Sequence, residues 1–346
     1  MYNGRPGAVP CVSSNKKAEE TVSSLFEIYI VLIDIVIMKK IVFLDADTIG
    51  SDISLEPIAA QGELVTYPFT KPEEVFERIQ GFDVIITNKV IIGKEQIDAC
   101  PTLKLICVAA TGTNNVDIPY ANSKGIPVKN AIGYSTESVV QVTFGMVLSL
   151  VGQMSYFDNA VKSGNYSKGP SFTDVSKCFW ELKGKRYGVV GLGNIGGKVA
   201  RIAQAFGMDV VYYSTSGNPH SDEFQAVSLE ELMSTCDVIS VHCPLNERTN
   251  NLITYDKLAL MKKTAYIINL GRGGIINEAD LVQALNDGLM AGAGVDVFSK
   301  EPLPLDSPYF KVADPSKILL TPHIGWASQE ARKCLVGKIA ENIANN

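Results

Sequence analysis

Several features that would give an easy functional answer are scarce or missing. Seven cysteines occur (Cys11, Cys100, Cys107, Cys178, Cys236, Cys243 and Cys334), but none forms a C-x-x-C pair. Zinc ligation and a disulfide framework therefore have no sequence basis, and no metal site is expected. Several of these thiols lie in apolar, strand-like runs where a buried cysteine is the ordinary outcome, a pattern suited to a reducing cytoplasm. Positive charge is also short: 31 Lys and Arg stand against 37 Asp and Glu, for a net charge of −6. That balance argues against a nucleic-acid partner, which needs clustered positive charge. The apolar run Leu25 to Ile37 is broken by Glu27 and Asp34. A membrane helix needs roughly 20 mostly apolar residues, so no membrane partner is expected. No small-residue cleavage pattern precedes Met38, so a secretory signal is a poor fit. There is no short repeat and no low-complexity tract.

What is present is an ordinary globular composition, 46% hydrophobic and 20% charged with 29 glycines in 346 residues. That length accommodates two domains at roughly 150 residues each. Residues 1–37 differ in character from the rest and read as a disordered or loosely packed extension, with the working protein beginning at "MKKIVFLDAD". From there apolar runs alternate with helical patterns: "KIVFLDAD", "KPEEVFERIQG", "DVIITNK" and "LKLICVAATGTNNVD". Continuous apolar strands separated by helices predict parallel sheet covered on both faces. A long apolar helix over Glu137 to Met154 has the length to join two domains. A second alternation runs from "RYGVVGLGNIGG" through "ILLTPHIGW", and an amphipathic helix beginning near Ser328 can return to the first domain. The fold class is therefore α/β, with two Rossmann-like or flavodoxin-like domains built on parallel sheets and an active site expected in the cleft between them. One domain is expected over 38–136 plus 326–346 and the other over 137–325.

The segment "GLGNIG", flanked by an apolar strand and a helix ending at Gly207, reads as a dinucleotide phosphate loop. Gly191 permits the tight turn, Gly193 lets backbone approach a pyrophosphate, and Gly196 lets helix and strand pack closely. The N–H groups of Asn194 and Ile195 would face the phosphates at the helix start. The next strand normally ends in an acid that holds the ribose 2′-OH, but "YYSTSGNPHSDEF" offers Ser214, Thr215 and Ser216. No Arg or Lys follows in this loop, and Asp222 and Glu223 come soon after. The expectation is weak discrimination with a lean to NAD, NADP being possible.

Three polar residues follow late strands: Arg272 after "AYIINLG", Glu301 after "AGVDVFSK" and His323 after "ILLTP". A guanidinium supplies a planar fork for a carboxylate, and a histidine with a carboxylate partner suits proton transfer near neutral pH. Glu301 would bond one imidazole nitrogen and favour the cation, leaving the other nitrogen to face a substrate oxygen. Each has a plainer reading, as loop cap, solvated turn residue or structural histidine; their joint occurrence behind a dinucleotide loop favours chemistry. His220 reads as an exposed loop residue and His242 as packed or lining a cofactor cleft.

The ordered set "GLGNIG", "HCPLNERTNNLI", "INLGRGGIINEADLVQAL", "AGAGVDVFSKEP" and "TPHIGWAS" resembles the D-isomer-specific 2-hydroxyacid dehydrogenases, most of all their glycerate dehydrogenase (hydroxypyruvate reductase) branch. The resemblance runs from Met38 to the C-terminus. It implies an oxidoreductase that reduces a small 2-keto acid with NAD(P), with Arg272 on the substrate carboxylate, His323 as acid/base and Glu301 as its partner. It further implies that Asp296 orients the nicotinamide amide, that Pro244 and Thr249 lie beside the cofactor, and that Thr111 and Gly112 offer backbone amides to the substrate carboxylate, with Lys89 adding charge nearby. The aromatic segment from Tyr156 to Trp180 corresponds to the family's dimer arm, which implies a homodimer. Two departures stand out: Gln141 replaces an acid common after the hinge, and Ser214 replaces the usual Asp. Other members of the scaffold remain alternatives, namely D-lactate, formate and phosphite dehydrogenases and a nucleotide-gated corepressor-like module. Absence of further chain after the last helix argues against phosphoglycerate dehydrogenases that carry a regulatory domain.

Overall fold

The computed structural model describes Met1, Gly4, 38–219 and 221–346. The extension expected over 1–37 and the loop residue His220 otherwise lie outside the described residues. Two compact units result, Met1–Ile132 with Leu335–Asn346, and Gly133–Cys334. The sequence reading placed the divisions at 136/137 and 325/326. The structure assigns the start of the last helix, Gln329–Ala344, to the second unit and its remainder to the first.

In the first unit, β1 (Lys39–Phe43), β2 (Gly62–Thr66), β3 (Val84–Thr87), β4 (Leu105–Val108) and β5 (Val128–Asn130) form one parallel sheet in the order β2-β1-β3-β4-β5. The sequences VIIT and LICV of β3 and β4 are buried throughout, as a sheet covered on both faces requires. Each such Ile, Leu or Val contributes roughly 1.5–3 kcal/mol of apolar burial. The short helices α1 (Lys94–Ala99) and α2 (Ile118–Ser123) follow β3 and β4, and α2 is capped by Asp117, which accepts from the Tyr120 amide at 3.1 Å. Chain order reverses between β1 and β3, and there the buried Asp45 accepts from the amides of Asn88 (2.9 Å) and Lys89 (2.7 Å). The C-terminal residues close this unit, with Lys39 Nζ donating to Ile343 O at 2.6 Å and Asn342 Nδ2 to Asn130 O at 3.1 Å.

The second unit opens with α3 (Thr136–Val151), whose Val139, Phe144, Val147 and Leu150 are buried in one cluster with Tyr187, Val189 and Ile268 of the sheet. Among the described residues no single helix is long and apolar enough to cross a membrane; α3 and the helix Met154–Lys162 pass that test only as a pair bent by 64°. Seven strands follow: β6 (Arg186–Val190), β7 (Asp209–Tyr213), β8 (Gln225–Ala226), β9 (Val238–Val241), β10 (Tyr266–Asn269), β11 (Gly292–Val295) and β12 (Ile318–Leu320). Their order is β12-β11-β10-β9-β6-β7-β8, all parallel. Strand order again reverses beside the first strand, between β6 and β9, the position where open α/β sheets present a ligand crevice at their carboxyl ends. The connecting helices α4 (Asn194–Ala205), α5 (Leu229–Thr235) and α6 (Glu278–Asn286) carry apolar faces, and α5 and α6 are N-capped by Ser228 and Asn277. The last helix, α7 (Gln329–Ala344), begins one residue after the position expected from the sequence.

Candidate active site

The strand-to-helix turn after β6 explains each of its glycines differently. Gly191 has φ +93°, and a Cβ there would lie 2.8 Å from Cys243 Cβ and 2.9 Å from its amide nitrogen. A Cβ on Gly196 would lie 2.2 Å from the Gly191 carbonyl oxygen, so only glycine lets α4 seat against the turn. Gly193 differs, because a Cβ there would meet nothing within 4 Å. Its side faces open space, the close approach that a bound pyrophosphate needs. Asn194 and Ile195 are the first residues of α4, and Gly193, the N-cap, brings no side chain to compete for their amides. A helix start with free N–H groups favours an anion by geometry and by its dipole. The residues thus fit a dinucleotide phosphate.

Two cavities open from this turn. One, of about 610 Å³, is lined by Gly191, Gly193, Ser214, Thr215, His242 and Pro244 among others. The second, of about 700 Å³, runs past Asn194, Lys198 and Arg201. His242 bonds Ser240 Oγ through Nε2 at 2.9 Å, and burial pushes its pKa down to about 3, so the ring is neutral. It lines the first cavity and packs at the end of β9, which accommodates both of the roles expected for it. Pro244 lines that cavity directly. Thr249 does not: it is fully buried, and its hydroxyl donates to Pro244 O at 2.6 Å and accepts from the Asn246 amide at 2.8 Å. Its work is to close the 244–249 loop.

Beyond β7, Ser214 is buried and its hydroxyl donates to Asn218 O at 2.7 Å, while Gly217 at φ +82° donates to Ser214 O at 3.1 Å. The expected acid is thus replaced by a tight hydroxyl-bearing turn. Sequence reasoning found no cation for this turn. The structure brings one from 32 residues away: Arg248 Nη1 donates to Ser216 O at 3.2 Å. Nothing in the local sequence signals that contact, because it depends on β7 and β9 flanking β6.

The three strand-end candidates all lie at the carboxyl edge of the second sheet. His323 Nδ1 and Glu301 Oε2 are 2.8 Å apart, with both side chains partly exposed. Glu301 Oε1 also accepts from the Phe298 amide at 3.0 Å, which fixes the carboxylate from its other side. The Nε2 of His323 has no protein partner among the described residues. Arg272 follows β10; it donates to Gly271 O at 2.8 Å, and its own carbonyl accepts from Asn269 Nδ2 at 2.9 Å. Among the described residues it has no carboxylate partner. Neighbouring Gly273 approaches the chain leading to Glu301 so closely that a Cβ would lie 1.9 Å from the Phe298 carbonyl carbon. The Arg272 turn and the Glu301 segment are therefore seated against each other.

His323 itself is in the left-handed region, φ +54°. Such backbone in a residue other than glycine costs of order 1–3 kcal/mol and persists only where neighbours enforce it. Asp296 is the enforcer. Its Oδ1 accepts from Thr321 Oγ1 and from the Ile324 amide (2.8 Å), and its Oδ2 accepts from the Gly325 amide (2.8 Å). Oδ1 thus bonds on both sides of His323, and Oδ2 adds a bond on its C-terminal side. Burial raises the Asp296 pKa, against the opposing effect of these donors and of His323.

The substrate-side candidates belong to the first unit. Lys89 sits in the turn held by Asp45 at the end of β3. Thr111 follows β4, its hydroxyl donating to Ala131 O at 2.9 Å and its carbonyl accepting from Asn130 Nδ2 at 2.7 Å, with Gly112 next in the chain. Among the described residues no group of three or more His, Cys, Asp or Glu side chains is placed to hold a metal.

The chain is similar to characterised proteins over most of its length. A family described as D-isomer specific 2-hydroxyacid dehydrogenase, NAD binding domain, matches residues 144–325. A hydroxypyruvate reductase of Blautia hydrogenotrophica is 38% identical over 315 residues, which covers 88% of this chain and 95% of that one. A glycerate dehydrogenase of Methylorubrum extorquens is 35% identical, with 88% and 95% covered. The solved D-lactate dehydrogenase of Aquifex aeolicus, complexed with NAD and lactic acid, superposes with a TM-score of 0.74 at 28% identity, covering 87% of this chain and 93% of that one. With its glycine turn, its parallel seven-stranded sheet and these matches, the chain belongs to the D-isomer specific 2-hydroxyacid dehydrogenases and carries their NAD-binding domain.

Proposed function

We propose that the protein reversibly reduces a small 2-keto acid of the hydroxypyruvate or glyoxylate type to its D-2-hydroxy acid. The observation that carries this reading is the His323–Glu301 pair at 2.8 Å, on the same sheet edge as a strand-end Arg272 that has no carboxylate partner among the described residues. NAD(P)H, when bound, supplies the hydride that becomes the C2 hydrogen. Everything else falls to the chain. Arg272 takes the substrate carboxylate through its planar fork, together with the amides at Thr111 and Gly112, and Lys89 adds positive charge. His323 donates the Nε2 proton to the forming alkoxide, and Glu301 on Nδ1 fixes the tautomer and stabilises the imidazolium. In the oxidative direction the same nitrogen accepts the hydroxyl proton. The hydride and one proton together reduce the carbonyl, and no metal is needed to balance the step.

Asp296 acts on this chemistry through the turn it holds, besides any contact with the nicotinamide amide. The segment from Tyr156 to Trp180 supports a homodimer, because it exposes Phe172, Val175 and Phe179 at 90%, 79% and 62%. Exposed apolar patches of this kind mark interaction surfaces. The six described cysteines are all free, which suits the reducing cytoplasm.

A panel of 2-keto acids with NADH and NADPH tests the activity, and two variants divide the roles. His323→Ala should lower kcat about 10²–10⁴-fold while dinucleotide affinity is kept; turnover equal to that of the wild type would exclude the acid/base role. Arg272→Ala should lower kcat/KM by roughly 10² or more, since it removes a bidentate charge-assisted contact; an unchanged kcat/KM would exclude the carboxylate role. For the turn, Asp296→Asn keeps volume but removes charge and one acceptor. Amide exchange at Ile324 and Gly325 should then quicken about 10- to 100-fold, the scale of one lost charged hydrogen bond, whereas unaltered exchange there would show that Asp296 does not hold the turn. Sedimentation velocity at micromolar concentration should show a species of twice the 37.4 kDa chain mass; a monomer would contradict the arm's role.

A further inference from the structure

We propose that Arg248 is the specificity determinant of the adenosine 2′ position and that the pocket takes a dinucleotide bearing a 2′-phosphate in preference to one with a free 2′-hydroxyl. The inference rests on the reading of the β6–α4 turn as a dinucleotide site and adds the choice between the two cofactors. The lean to NAD drawn from the sequence relied on two facts, the lack of a local cation and the proximity of Asp222 and Glu223. The structure supplies a cation and pairs one of the two acids, Glu223.

The cation comes from the 244–249 loop. Thr249, fully buried and bonded to Pro244 O and the Asn246 amide, closes that loop and sets where Arg248 starts. Arg248 Nη1 then reaches Ser216 O at 3.2 Å, in the turn that replaces the usual acid, and both residues line the same cavity. This bond engages one of five guanidinium N–H donors, and among the described residues no carboxylate pairs with the side chain. A guanidinium anchored to a neutral carbonyl with its remaining donors open is suited to a phosphate, which it can grip in two-pronged fashion.

One opposing charge is also taken up. Glu223 is held by Arg201, whose Nε lies 3.1 Å and Nη2 2.8 Å from its carboxylate. Glu223 borders the second cavity and not the one that Arg248 lines. Among the described residues the one carboxylate lining the Arg248 cavity is Glu247, which makes no bond to the turn. Residue 214 is a serine whose hydroxyl donates to Asn218 O, so the end of β7 carries no carboxylate to oppose a 2′-phosphate. Thr215 also lines the cavity and has no protein partner for its hydroxyl among the described residues. At the end of β7 the site thus holds a guanidinium contact and, among the described residues, a hydroxyl without a protein partner, where an NAD site would hold an acid.

The test uses the whole chain and calorimetric binding, independent of turnover. The probes are adenosine 2′,5′-bisphosphate and adenosine 5′-monophosphate, with NADPH and NADH alongside. The wild type should bind the bisphosphate and NADPH at least about 10-fold more tightly than their partners lacking the 2′-phosphate, as charge-assisted phosphate contacts provide. Arg248→Gln should collapse that ratio toward one, and raising the salt concentration should shrink it in the wild type only. Arg248 is exposed and bonded to a single carbonyl, so the variant is expected to fold, and retained NADH binding verifies this. Equal affinity for the two probes, or a ratio that survives Arg248→Gln, overturns the assignment while leaving the dinucleotide site intact. Failure of all four ligands to bind overturns both.

Discussion

One buried carboxylate holds the turn on which His323 sits. Asp296 follows β11 directly and binds Thr321, Ile324 and Gly325, which follow the neighbouring strand β12. The parallel pairing of β11 with β12 brings these groups within reach, and the bonds in turn hold His323 at φ +54°. Without them the imidazole would relax to a more common backbone conformation and its Nδ1 would leave Glu301. Burying a carboxylate is unfavourable unless donors compensate, and here at least three do so. The contact between His323 and Glu301 is therefore a consequence of sheet register and one satisfied buried carboxylate.

The same logic recurs at each reversal of strand order. In the first unit, Asp45 collects the amides of Asn88 and Lys89 across the β1–β3 reversal, and burial raises its pKa despite those bonds. In the second unit, Gly191 presses on Cys243 across the β6–β9 reversal, which brings the phosphate turn and the 244–249 loop to one cavity. Two unlike devices, an acid that gathers amides and a glycine that admits a neighbour, serve one end. Each keeps loops at the carboxyl edge of a parallel sheet in register with one another.

Legibility in the sequence follows the distance over which each feature is determined. The glycine turn was readable because the positive φ of Gly191 and the contact of Gly196 with the Gly191 carbonyl are set within six residues of chain. The parallel sheets were readable from runs such as VIIT and LICV, which leave no polar face. Arg272, Glu301 and His323 were identifiable as residues following strands, although the 2.8 Å contact between the last two needs the β11–β12 pairing. Arg248 was not legible at the 2′ position, since its link to Ser216 arises only when β7 and β9 flank β6. Nor could spacing show that Thr249 turns inward to close its own loop, or that Asp296 clamps the turn around His323. Local dihedral demands and burial patterns are written in consecutive residues; contacts made by strand order are not.

The central claim is that this chain delivers a hydride to C2 of a keto acid and a proton to its oxygen. The most direct measurement is the fate of the label when hydroxypyruvate is reduced with NAD(P)H deuterated on the transferred position, followed by NMR of the product. The account predicts one deuterium on C2, none elsewhere, and glycerate of the D configuration. Deuterium lost to solvent, located on C3, or present in L-glycerate would contradict it.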